Sequence, residues 1–94
     1  MENKYGKGKE YYYNEKLLFE GEYLNGERNG KGKEYNYNGE LIFEGEYLNG
    51  KKWNGKGKEY NYDGELEFEG EYLNGERNGK YYHHNHDSYI FFLE

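Results

Sequence analysis

This 94-residue chain has no cysteine and no proline, and it also lacks alanine, valine, threonine and glutamine. Without cysteine there are neither disulfides nor thiolate metal sites. Without threonine, and without any G-x-x-x-x-G-K-[ST] string, the K-G-K tripeptides are no phosphate loop. Hydrophobic residues make up only 33%, and most of them are aromatic: 14 Tyr, 5 Phe and 1 Trp. A thick aliphatic core is therefore out of reach. No apolar run has the length of a membrane-spanning helix, and the first residues, M-E-N-K-Y-G, lack the apolar stretch of a secretory signal. The expected setting is intracellular, in the cytoplasm or peripheral to a membrane. The net charge is −6, with acidic and basic residues interleaved. No basic run exists to follow a phosphate backbone, which argues against nucleic acid.

What the chain does have is repetition. F-E-G-E-Y-L-N-G occurs unchanged at 19–26, 43–50 and 68–75, and K-G-K-E-Y-N-Y occurs at 31–37 and 56–62, with K-G-K-E-Y-Y-Y at 7–13. The period is 24 residues and then 25, where Trp53 reads as an extra residue in a loop. So short a period means small units that bury a face only by stacking on a neighbour. It also argues against an enzyme and against a small-molecule substrate or cofactor, since an active site needs unlike residues converging. Evenly spaced aromatics and paired turn signals are not the composition of a disordered segment.

Asn-Gly is the strongest short hairpin signal because both turn positions need positive φ. It occurs at Asn25-Gly26, Asn29-Gly30, Asn38-Gly39, Asn49-Gly50, Asn54-Gly55, Asn74-Gly75 and Asn78-Gly79, with Asp63-Gly64 as a relative. The glycine density excludes helix almost everywhere. A two-residue turn at Asn38-Gly39 puts Tyr37 opposite Glu40, Tyr35 opposite Ile42, Lys33 opposite Glu44, Gly32 opposite Gly45 and Lys31 opposite Glu46. The same register about Asp63-Gly64 pairs Lys58 with Glu69, Gly57 with Gly70 and Lys56 with Glu71. About Asn14-Glu15 it pairs Lys9 with Glu20, Gly8 with Gly21 and Lys7 with Glu22. Exposed ion pairs of this kind add only about 0.2–1 kcal/mol each, so their use is to fix register. The connections such as Asn25–Gly30 are then the longer ones.

This register predicts two faces. The buried row comprises Phe19, Gly21 and Tyr23, then Phe43, Gly45 and Tyr47, then Phe68, Gly70 and Tyr72, with Leu17, Leu41 and Leu66 heading each set. The wet face carries the Lys–Glu pairs together with Leu18, Ile42 and Glu67, and with Tyr11, Tyr13, Tyr35, Tyr37, Tyr60 and Tyr62. The fold expected is all-β: a linear array of stacked antiparallel hairpins, a single-layer twisted meander of about eight strands. Tyr35, Tyr37, Trp53, Tyr60, Tyr62, Phe91 and Phe92 are the candidate interaction residues. The glutamate pairs Glu20/Glu22, Glu44/Glu46 and Glu69/Glu71 read as a structural ladder rather than as acid–base pairs. In the tail, His83, His84, His86 and Asp87 offer at most a weak metal site. The apolar stretch Tyr89–Leu93 reads as a last strand that caps the array or pairs with a second copy.

F-E-G-E-Y-L-N-G-E-R-N-G-K-G resembles the MORN repeat: an aromatic, any residue, Gly, any residue, an aromatic, then N-G, and later G-x-G. A half copy at 4–18, copies at 19–42 and 43–67, and a half copy at 68–82 form an array over residues 1–82, followed by a tail at 83–94. The piece G-K-G-K-E-Y-N-Y-N-G-E-L is one residue longer than the usual form and is similar to variant MORN repeats. The resemblance implies a non-catalytic scaffold that docks a protein partner or itself. Its alternatives are a membrane-associated phospholipid-binding scaffold and an antitoxin-like binder of a cognate toxin. The acidic balance, with most lysines facing a glutamate, disfavours lipid, because attraction to anionic lipid is worth about 1 kcal/mol per free basic residue.

Overall fold

The computed structural model describes the backbone at residues 3–85 and 88–93, and side chains up to residue 82. Eight strands form one antiparallel sheet in strict sequence order. They are β1 (Tyr5–Tyr11), β2 (Leu17–Leu24), β3 (Glu27–Tyr35), β4 (Leu41–Leu48), β5 (Lys51–Tyr60), β6 (Leu66–Leu73), β7 (Glu76–Asn85) and β8 (Ser88–Leu93). The sheet is a single layer, measuring 55 × 32 × 15 Å.

All six expected Lys–Glu pairs and all three glycine pairs occur in the β1–β2, β3–β4 and β5–β6 ladders. The turns are reversed from expectation. Asn25-Gly26, Asn49-Gly50 and Asn74-Gly75 are the two-residue turns, with φ of 49–52° at each Asn and 85–86° at each Gly. Both residues are left-handed, the geometry that matches strand twist. The connections at 12–16, 36–40 and 61–65 are the longer ones. In the second, the Asn36 N–H donates to the Glu40 carbonyl and the Gly39 N–H to the Asn36 carbonyl. The Asn36 side chain fixes this loop: its Oδ1 accepts from the N–H groups of Asn38 and Glu40, and its Nδ2 donates to Glu40 Oε1. Asn61 repeats the arrangement with Asp63 and Glu65. Asn36, not Tyr37, therefore faces Glu40.

Each longer turn is followed by a β-bulge. Tyr35 lies opposite Leu41 rather than Ile42, because the register shifts between Glu34 and Tyr35. The same shift follows Glu10 and Glu59. Bulges break the two-residue alternation, so the buried row ends at the phenylalanines. Leu41 is exposed, and Leu18, expected on the wet face, packs against the core. Asn29-Gly30, Asn54-Gly55 and Asn78-Gly79 are not turns either; they lie inside β3, β5 and β7. Trp53, expected in a loop, lies within β5 as a bulge between the pairs Tyr47–Lys52 and Glu46–Asn54.

Two kinds of glycine shape the sheet. A side chain at Gly45 or Gly70 would run into the neighbouring backbone, with Cβ only 2.6 Å from the Cα of Gly55 or Gly79 respectively. A side chain at Gly32 would instead meet the Phe19 and Tyr47 rings, and one at Gly57 the Tyr72 and Phe43 rings together with the Ile42 carbonyl. Aromatic cover of strand glycines thus builds the core.

Candidate interaction surfaces

The core is a line of rings on one face. Tyr23, Phe19, Tyr47, Phe43, Tyr72, Phe68 and Tyr81 touch in that order, with centroids 4.9–5.8 Å apart and mostly edge-to-face. Phe19, Phe43 and Phe68 have no exposed surface, and Tyr47 and Tyr72 are buried. Gly21, Gly45 and Gly70 lie between these rings on the same strands and are half-buried. A single-layer sheet can bury its phenylalanines because cations roof them. The Arg28 guanidinium lies 4.2 Å from the Phe19 centroid, Lys52 Nζ lies 5.5 Å from Phe43 and 5.4 Å from Tyr72, and Arg77 lies 5.6 Å from Phe68. Such contacts contribute about 0.5–2 kcal/mol.

A carboxylate completes each unit. Tyr23, Tyr47 and Tyr72 donate their hydroxyls to Glu10, Glu34 and Glu59. Arg28 donates two hydrogen bonds to Glu10 and one to Glu34, and Arg77 donates one to Glu59. The Arg28 hydrogen bonds hold the Glu10 carboxyl below its usual range, outweighing the effect of burial. Burial, then donation to Glu10, pushes the Tyr23 hydroxyl up to about 12. Burial and their glutamates raise Tyr47 and Tyr72 well above the ordinary tyrosine value. The sequence held a signal for this unit: each glutamate precedes its tyrosine by 13 residues, and each cation follows that tyrosine by five.

The opposite face carries the cross-strand Lys–Glu pairs. Lys9–Glu20, Lys33–Glu44 and Lys58–Glu69 approach to 3.8–3.9 Å, with all six side chains substantially exposed. A furrow of about 950 Å³ crosses β1–β4 on this face, between the row of Lys7, Glu22, Lys31 and Glu46 and the row of Lys9, Glu20, Lys33 and Glu44.

The candidate interaction residues do not form one surface. Tyr37 and Tyr62 stand exposed at the longer turns with Tyr13, whereas Tyr35 and Tyr60 are half-buried at strand ends. The Tyr37 ring meets Tyr12 edge-on at 5.3 Å, and the Tyr12 hydroxyl donates to the Tyr35 carbonyl. Trp53 is half-buried beside the Asn74-Gly75 turn, where its carbonyl accepts the Gly75 N–H. Phe91 and Phe92 belong to β8, opposite Tyr82 and Tyr81. Their side chains, and the possible metal site at His83, His84, His86 and Asp87, lie outside the described residues. Among the described residues no helix is long and apolar enough to cross a membrane. No protein-family model, curated protein or solved structure matches the chain.

Proposed function

We propose that this chain is a variant MORN-type array acting as a non-catalytic docking module inside the cell, for a protein partner or for a second copy of itself. The observation that carries this reading is the commitment of its basic side chains. Arg28 and Arg77 are bonded to glutamates and laid over rings, and three lysines face glutamates across the other side. An anionic lipid surface would have to compete with these carboxylates, against a net charge of −6. The three units also repeat the same groups rather than gathering unlike ones, so no reaction is assigned. What is left for recognition is the exposed tyrosine edge and the Lys–Glu face. Flotation with anionic phosphoinositide liposomes at low and near-physiological salt tests the reading. No binding is expected; binding that survives salt overturns it in favour of a lipid scaffold.

A further inference from the structure

The Lys–Glu pairs join into a single ladder that runs beyond any one hairpin. Lys9 faces Glu20, Glu20 faces Lys33, Lys33 faces Glu44, Glu44 faces Lys56, and Lys56 faces Glu71. The row crosses β1–β6 without a break, and the charge alternates at every step. Charges separated by one strand repeat, and charges on adjacent strands oppose, at a spacing of about 4.8 Å. Read from either end, such a six-membered row is the inverse of itself: positive becomes negative at every position.

That property makes the face self-complementary. We propose that a second copy of this chain packs face to face on the Lys–Glu side, related by a two-fold axis that runs parallel to the strands between β3 and β4. This rests on the docking-module reading and names its partner. The axis lays β1 on β6, β2 on β5 and β3 on β4. Every lysine of the row then lies over a glutamate: Lys9 over Glu71 of the second copy, Glu20 over Lys56, and Lys33 over Glu44. An isologous contact requires this kind of match. Beside the row, Lys31 and Glu46 exchange in the same way on β3 and β4. Leu48 and Leu73 alternate with Glu46 and Glu71 and so share this face, where they are 40% and 56% exposed and supply apolar area. The sheet face measures 55 × 32 Å, ample for the roughly 800 Å² per partner of a standard interface. A solvated face would leave the same ladder idle, and the central contact separates the two cases.

Sedimentation velocity across a concentration series gives the mass, with the monomer at 11.4 kDa. A dimer is expected at low salt, with its dissociation constant rising roughly tenfold or more once ionic strength shortens the screening length to a few ångströms. Glu44→Lys sets lysine against lysine twice at the axis and is expected to give a monomer. Lys33→Glu combined with Glu44→Lys restores opposite charges at the axis and is expected to restore the dimer, with circular dichroism confirming that both variants are folded. A wild-type chain that stays monomeric at low salt overturns the proposal, and so does a dimer indifferent to Glu44→Lys. Either result leaves docking to a different protein standing, whereas salt-resistant liposome flotation would remove the docking reading itself.

Discussion

The β2–β3 and β4–β5 hairpins are built from nearly the same residues but hold different registers. In the first, three residues (Asn29, Gly30 and Lys31) lie opposite Glu22 alone, and Gly21 pairs with Gly32. The Lys31 N–H donates to the Glu22 carboxylate across this bulge. In the second, only Trp53 is extra, and Gly45 pairs with Gly55 instead. The β6–β7 hairpin has no register shift at all. Yet the ring contacts across the intervening strand barely change: Phe19–Tyr47 is 5.1 Å and Phe43–Tyr72 is 5.3 Å. The aromatic line is therefore what each unit conserves physically, and the backbone absorbs the mismatch in bulges. The roof differs as well. Arg28 joins Glu10 and Glu34, whereas Lys52, in the same place over Phe43 and Tyr72, is a point charge without the planar fork.

The largest effect should come from the backbone contact that the two hairpins reach by different routes. Gly45→Val drives a side chain into the Asn54-Gly55 backbone, and a loss of at least about 3 kcal/mol is expected. Thermal melting equal to wild type would show that the close approach is not required.

Arg28→Met should cost about 1–3 kcal/mol in urea unfolding, because it strands two glutamates beside a guanidinium site only 19% exposed. Arg77→Met, at a site 45% exposed, should cost under about 1 kcal/mol. Equal losses would erase the distinction between a closed unit and an open one.

Titration sharpens it further. The Tyr23, Tyr47 and Tyr72 values are raised in the folded chain. Their contribution is complete below the unfolded tyrosine value of about 10 and is lost as pH climbs through the folded values, for Tyr23 about 12. Phenolate absorbance should therefore show these three tyrosines ionising late, coincident with unfolding. Glu10 behaves oppositely: its value is lowered, so its contribution is present above about 4.3 and fades as pH falls through the folded value. Acid sensitivity of the melting point should shrink in Arg28→Met.

The smallest effect is a gain. Lys52→Arg should let a fork reach toward Glu34 and Glu59 as Arg28 reaches Glu10 and Glu34, raising stability by about 0.5–1 kcal/mol. No change in the denaturation midpoint would mean that the two hairpin registers present their carboxylates differently.

The pairings within β1–β2, β3–β4 and β5–β6 were legible in the sequence because a one-residue slip would have set lysine against glycine; charge alternation leaves one register. Turn lengths were not, because Asn-Gly serves three purposes here: tight turns at Asn25, Asn49 and Asn74, a longer turn at Asn38, and strand positions at Asn29, Asn54 and Asn78. At Asn29 and Asn54 the side chain accepts the backbone N–H of the next tight turn, twenty residues on, a role that spacing alone does not reveal. The Leu row misled because bulges reverse parity without altering composition. The candidate surface was partly legible: the exposed turn tyrosines follow from the repeat, but joining the hairpin pairs into one continuous charge ladder needs the β2–β3 and β4–β5 registers, which bulges set.

Because every strand pairs only with its neighbours in sequence, the chain closes no loop longer than a hairpin as it folds. Low contact order of this kind favours fast assembly, and each added hairpin can lay down on the one before it. The same arrangement gives the molecule a gradient of protection rather than a single global opening. Amide exchange should be slowest in β3–β5 and quicken outward, so that β1 frays long before Phe43 meets water.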